Sequence, residues 1–295
     1  MMREPRPETL RSPAYHLALN PDWLEPLRRA GLLEAAGFDA ALRSARARPP
    51  GRGPQRLVDW PGVASPLRLR ECRRGGALGP LFSNRFVSPR RVERELELWL
   101  GLAARGAPLP AAVGAFSRRR GLLWECHLGT LDRSASRDGL DWLATSPDRA
   151  LREPVAAALG DALRRFHDAG GLHGDLNLRN VLIEQGEAGP RCLLVDLASA
   201  RATRGAAPRE RIRDFLRLER SLAKHGASDL LDPRLRARFL AAYCRGDRRL
   251  RAALHAAARP GERRFLRHRL AWRLARLRAR NVLAAALGLG LGLGR

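Results

Sequence analysis

Lysine is nearly missing from this sequence: Lys224 is the single one, so 54 of the 55 basic residues are arginines. Against 30 acids this gives a formal charge of +25. So lopsided a ratio, beside many Ala, Gly and Pro, is read as GC-rich coding rather than selection for charge. No nucleic-acid partner is therefore expected, although attraction to anionic partners, phosphorylated lipids included, follows from the charge itself. Cysteine is sparse, and Cys72, Cys126, Cys192 and Cys244 form no CxxC pair. That argues against a zinc site or a disulfide framework and suits a reducing cytosol. No apolar run follows Met1, so no secretory signal is expected. The longest apolar stretch, over 281–294, is rich in glycine and short of the ~20 residues that a membrane span takes. What is present is a globular composition, 45% hydrophobic and 29% charged, over 295 residues. That suffices for one large or two small domains with a real core.

Residues 1–12 read as a polar, disordered start, and 22–46 as one or two helices carrying Trp23, Leu27, Leu33, Phe38 and Leu42. Pro49-Pro50-Gly51-Arg52-Gly53-Pro54 breaks the chain. Two short strands over 55–73, parted by Pro61-Gly62, precede a loop with Gly75, Gly76 and Gly79. Over 90–105, Leu96, Trp99, Leu100 and Ala103 recur at helical spacing, interleaved with Glu93 and Glu97. A strand pair flanks the turn at 117–121, helices follow over 138–145 and 151–169, and two apolar strands flank the turn at 186–190. The remainder is helical to about residue 280. A strand-rich first part thus precedes a mostly helical second part, with no internal repeat.

The stretch that carries chemistry is Leu172-His173-Gly174-Asp175-Leu176-Asn177-Leu178-Arg179-Asn180, followed by Asp196 at the end of the next apolar run. A loop between helix and strand, and the end of the next strand, bring two carboxylates and one amide oxygen to one edge. Those hard oxygens suit Mg²⁺ with bound phosphates, and a carboxylate suits accepting a hydroxyl proton. The spacing resembles the kinase catalytic loop, with His173, Asp175, Leu176 and Asn180 in register and Asp196-Leu197-Ala198 in place of D-F-G. The resemblance implies ATP and Mg²⁺, with Asp175 as catalytic base and Asn180 and Asp196 as metal ligands. A kinase also needs a cation on a central strand and a helix glutamate to hold it. Lys224 lies downstream of the loop, so Arg70 and Glu95 are assigned to those places. Gly51 and Gly53 stand either as a shortened phosphate-covering loop or as a plain linker. Arg179 either reaches the transferred phosphate or is a solvated loop residue. Asn177 either touches the acceptor or braces the loop. His173 is read as a packed scaffold residue, and His167 as a helix-end residue.

A narrower resemblance rests on three segments: Arg70-Glu-Cys-Arg73-Arg74-Gly75-Gly76, RELELWLGLAARGAPLP and RRFHDAGGLHGDLNLRNVLIE. They are similar to the lipopolysaccharide core kinases, and within these to the branch acting on 3-deoxy-D-manno-octulosonic acid (Kdo). That branch carries LRHYRRGG, a QEF helix ending in GVPVP, and FHDAG-x-x-HADLNxxNILL, with an arginine at the strand position. The likeness covers roughly residues 51–225. Gly174 departs from the branch's usual Ala, and Asp196-Leu-Ala from its Asp-Phe-Asp. The resemblance implies an α+β, two-lobed protein-kinase-like fold: a small antiparallel sheet lobe with one helix, and a larger helical lobe. Residues 1–45 are expected as a partly helical N-terminal extension, 46–124 as the N-lobe, 125–270 as the C-lobe and 271–295 as a basic and apolar tail. The implied reaction is phosphorylation of the 4-hydroxyl of Kdo on a lipid A precursor, with Arg73 and Arg74 as anchors for the anionic acceptor. Alternatives are a heptose or other sugar kinase of the group, an atypical protein kinase, and an inactive kinase-like binding module. The implied location is cytoplasmic, peripheral on the inner membrane. Residues 263–280 place Leu266, Leu270, Leu274 and Leu277 on one helical stripe among eight arginines. Such a helix either lies on an anionic surface or packs onto the helical lobe.

Overall fold

A computed structural model describes residues 6–47, 55–73, 85–145, 147–227 and 232–258. Gly51, Gly53, Arg74 and the stripe over 263–280 lie outside the described residues. An antiparallel sheet dominates the first part. Its strands are β1 (Glu8–Arg11), β2 (Tyr15–Leu19), β3 (Arg46–Ala47), β4 (Gln55–Val58), β5 (Leu67–Glu71), β6 (Arg85–Phe86), β7 (Ala112–Arg120) and β8 (Leu123–Leu131). They run in the order β1-β2-β7-β8-β5-β4-β3, with β6 also pairing β8.

Alternation along each strand divides the sheet into two faces. Leu67 and Leu69 of β5 join Tyr15, Leu17 and Leu19 of β2, Phe116 of β7 and the helix residues Leu27, Phe38 and Leu42 in one core. Those helix residues belong to α1 (Leu24–Arg29) and α2 (Ala35–Ser44). On the opposite face Cys126 and Leu128 pack with Leu96, Trp99 and Leu100 of α3 (Arg90–Ala104). This second core runs on without a break into the helical part.

Three expectations are corrected here. Residues 8–11 form a paired strand rather than a disordered start, and Tyr15–Leu19 of the expected N-terminal extension belong to the sheet, because β2 hydrogen-bonds β7 along its length. The side chains of β1 are all exposed, so its pairing is carried by backbone groups that leave no hydrophobic pattern to read. Nor does the sheet stop at 124, since β8 runs through that position.

The second part is built on α4 (Gly139–Ala144), α5 (Arg149–Asp168), α6 (Pro208–Lys224) and α7 (Pro233–Cys244), with a further helix over 248–258. Asp138 and Asp148 cap α4 and α5 by accepting from backbone N–H groups of the first turn. Ala207-Pro208-Arg209-Glu210 is a helix start: Pro208 opens α6 and the Glu210 carboxylate accepts from the Ala207 N–H. A small sheet of β9 (Ser136–Asp138), β11 (Val181–Gly186) and β12 (Gly189–Leu194) lies beside these helices. Where α3 ends, the Leu194 N–H donates to Pro108 O (2.8 Å) and Arg105 Nε to Ala169 O (2.7 Å). These contacts tie the two parts together beside the cleft.

Candidate active site

The β5 alternation that sends Leu69 into one core sends Arg70 to the other face, towards α3. On α3, Glu95 lies among the buried residues Val92, Leu96 and Trp99. Arg70 Nη2 donates to Glu95 Oε1, and Nη1 lies 3.3 Å from Asp196 Oδ1. One planar guanidinium thus spans two acids from opposite sides of the cleft. Burial alone would pull the Arg70 pKa down, but Glu95 and Asp196 hold it above the ordinary arginine value. Arg70, Glu95, Arg73, Phe86 and Arg91 line one small cavity. Arg73 is exposed, with its Nε 3.8 Å from Glu71.

Asp175 is exposed on the loop between β10 (Gly171–Leu172) and β11. Its own carbonyl is a hub, accepting from Asn177 Nδ2 (3.1 Å) and Asn180 Nδ2 (2.8 Å). Asn177 Oδ1 accepts from the Arg179 N–H at 3.0 Å. Of the two roles expected of Asn177, the geometry shows the bracing one. Asn180 is buried, and because its amide nitrogen is turned to Asp175 O, its oxygen end faces away from that carbonyl. The Val195 N–H donates to Asn180 O at 3.1 Å, which places Asp196 one residue beyond the loop's anchor. Asp196 has φ +66, a left-handed conformation that residues other than glycine adopt uncommonly, aspartate and asparagine more readily than most. Gly174 has φ +74, and a Cβ there would lie 2.2 Å from Ser199 O, so this loop admits only glycine without moving. Arg179 is half-buried in the same loop.

Sequence reasoning missed the residue that holds this loop. Asp214 of α6, only 1% exposed, accepts from the His173 N–H (2.8 Å, Oδ2) and the Gly174 N–H (3.2 Å, Oδ1). Two turns farther along α6, Ser221 Oγ accepts from the Leu178 N–H at 3.2 Å. The legible signal was an aspartate four residues before Leu218, on the buried stripe of an amphipathic helix. His167 is no simple helix end. It is buried, with Nδ1 2.7 Å from Tyr243 Oη and Nε2 3.4 Å from Asp214 Oδ2. Burial would raise the Asp214 pKa, but the hydrogen bonds from His167 and the His173 N–H hold it below the usual value. Burial pulls both histidines below theirs. His173 Nε2 sits 3.1 Å from Val195 O, as fits a packed scaffold residue.

A larger cavity, about 510 Å³, lies within the helical part. Its mostly apolar walls include Trp142, Phe215, Phe239 and Leu254 and none of Arg70, Glu95, Asp175, Asn180 or Asp196. The cleft is therefore where charge chemistry is concentrated.

A sequence profile described as the lipopolysaccharide kinase (Kdo/WaaP) family matches residues 41–243. The chain belongs to that family. It is a phosphotransferase of the lipopolysaccharide kinase group, and kinase membership carries with it the use of ATP. A 3-deoxy-D-manno-octulosonic acid kinase of Photobacterium profundum is 29% identical over 195 residues, covering 64% of this chain and 79% of that protein. The enzyme of the same name from Xylella fastidiosa is 31% identical over 188 residues, covering 60% and 72%. A solved structure, "WaaP in complex with acyl carrier protein", superposes with a TM-score of 0.53 at 19% identity, covering 85% of this chain and 98% of that one. It supports the two-lobed, kinase-like α+β fold.

Proposed function

We propose that this kinase transfers the γ-phosphoryl group of ATP to a hydroxyl of Kdo on a lipid A precursor, at the cytoplasmic face of the inner membrane. The observation that carries the reading is Arg70, held by Glu95 and facing Asp196, across the cleft from the loop that presents Asp175. Arg70 neutralises phosphate charge, and its fork is aimed by Glu95 before the nucleotide arrives. Asp175 orients the acceptor hydroxyl and takes its proton as the new O–P bond forms and the bond to the ADP oxygen breaks. Asn180 and Asp196 supply hard oxygen donors, so the pair fits Mg²⁺. Asn180 and Asp196 would hold such an ion, which would supply positive charge to offset that of the phosphates. Most of the rate comes from positioning and charge compensation. Arg73 supports the acceptor reading as an exposed cation at the lip of the same cavity.

Kdo rather than heptose is favoured by the names of the relatives from Photobacterium and Xylella. No helix among the described residues is long and apolar enough to cross a membrane. Peripheral attachment is therefore the route to a lipid-linked acceptor, and the net charge of +25 favours an anionic surface. The test is a purified assay with ATP, Mg²⁺ and either a Kdo-bearing or a heptosylated acceptor. Transfer to the Kdo acceptor is expected, falling roughly 10²–10⁴-fold in Asp175→Asn, the usual worth of a positioned base. Transfer to heptose alone, or an Asp175→Asn enzyme at full rate, overturns the assignment.

A further inference from the structure

We propose that the edge of the sheet formed by β6 and the β7–β8 turn is the surface by which this kinase docks on an anionic phospholipid leaflet. The inference rests on the reading of a lipid-linked acceptor and adds which part of the chain meets the lipid.

Exposed apolar side chains scattered singly need no explanation. Here the two most exposed large ones are neighbours: Leu122 at 85% and Val87 at 72%. Leu122 follows Gly121, whose φ of +65 makes the tight turn between β7 and β8. β6 pairs β8 with Phe86 opposite Trp124, so Val87 comes level with Leu123, the residue after Leu122. Phe86 is buried, while Leu123 and Trp124 are half-buried. The outer end of β6 and β8 thus carries an apolar ridge, in which the bare Val87 and Leu122 stand beside the half-buried Leu123 and Trp124. A half-buried tryptophan behind an aliphatic tip is the arrangement that suits a membrane interface.

The ridge is set among cations. Arg85, Arg90, Arg91, Arg119 and Arg120 are all exposed around it. Arg119 Nε donates to Gly121 O at 3.1 Å, which holds its guanidinium at the turn. Arg91 stands over the Phe86 ring at 5.6 Å. The nearby acids are engaged: Glu125 accepts from Arg118 Nε and Nη2 at 2.9 Å and from Arg120 Nε at 3.5 Å, and Glu93 lies 3.5 Å from His16, which leaves Arg85, Arg90, Arg91 and Arg119 as the surplus. An aliphatic tip ringed by a positive surplus complements negatively charged headgroups over an apolar interior. Phe86 and Arg91 also line the small cavity that holds Arg70 and Glu95, so docking along this ridge keeps the cleft close to the bilayer.

The test uses the full chain and vesicles of phosphatidylethanolamine with phosphatidylglycerol. Wild-type protein should bind them and be released by high salt. The double variant V87D/L122D should bind at least about tenfold more weakly, since two aliphatic side chains no longer enter the interface. Its melting temperature and its rate on a Kdo-bearing acceptor dispersed in detergent should match the wild type. R119Q/R120Q should bind more weakly and respond less to salt. Unchanged vesicle binding by V87D/L122D overturns the proposal, and if L270D/L274D abolishes binding instead, attachment belongs to the leucine stripe over 263–280. Failure to phosphorylate the Kdo-bearing acceptor in detergent, with vesicle binding still lost in V87D/L122D, counts against the acceptor reading and leaves the docking surface standing.

Discussion

Arg70 replaces the lysine that kinases usually carry on this strand, and its shape is the reason the exchange works. A guanidinium can face Glu95 with one nitrogen and Asp196 with another, as it does here. An ammonium at that position is a single point charge on a shorter reach. In the transfer assay Arg70→Ala should lose roughly 10–10²-fold or more in kcat/KM, the worth of a charge-assisted contact. Arg70→Lys should be impaired but active, and Glu95→Gln should mimic part of the Arg70→Ala loss. Full activity in Arg70→Ala would remove Arg70 from the nucleotide site. Arg70 and Glu95 were legible because strand and helix periods fix which way each side chain points. Asp214 left only its place on the buried stripe of α6 to read, because its partners include the backbone N–H groups of His173 and Gly174 some forty residues upstream, and backbone groups carry no sequence signature.

Helices α5 and α7 meet at a glycine. A Cβ on Gly160 would lie 2.3 Å from Phe239 O, so the two backbones approach as only glycine allows. Gly160→Ala should lower the urea midpoint by an amount equivalent to about 1–3 kcal/mol, the usual cost of overpacking. An unchanged midpoint would mean that the helices separate freely. The helices themselves were readable from their periodicity, and α3 runs almost as the pattern over 90–105 required. Their crossing was not, because a glycine inside a helix reads as a local weakness until its neighbour is known. The same contrast holds for the sheet. β5 shows itself by the alternation of Leu67 and Leu69 with Arg68 and Arg70, and β7 and β8 by apolar residues on either side of a polar turn, whereas β1 shows four exposed side chains and β2 five buried ones.

Acid should unfold this protein for a reason spread over the whole molecule. His127, His167 and His173 are buried, and burial lowers the pKa of each, that of His127 to about 4. A histidine held neutral in the folded state contributes stability that is lost as pH falls below its ordinary value, because the unfolded chain then binds protons that the folded one refuses. Asp214, held below the usual carboxylate value, has the same sign: its contribution is present above that value and lost as pH falls towards its folded pKa. Each histidine costs about 1.4 kcal/mol per pH unit below its unfolded pKa. Urea midpoints measured from about pH 7.5 to about pH 5.5 should therefore drop. A flat profile would show that these histidines gain charge without unfolding the chain.

Local pattern gave the order of a sheet part before a helical part, and with the kinase resemblance it singled out the loop around Asp175 and proposed Arg70 and Glu95, which the fold brings together as a pair. Each depends on residue spacing within one or two neighbouring elements, and spacing is what a linear text preserves. Three things waited for the folded chain: that residues 8–42 complete the sheet and one of its cores, that Asp214 and Ser221 hold the catalytic loop from α6, and that Leu122 and Val87 come together on one edge. All three are juxtapositions between distant segments, made by backbone hydrogen bonds and close packing, which depend on where the chain returns rather than on what it says locally.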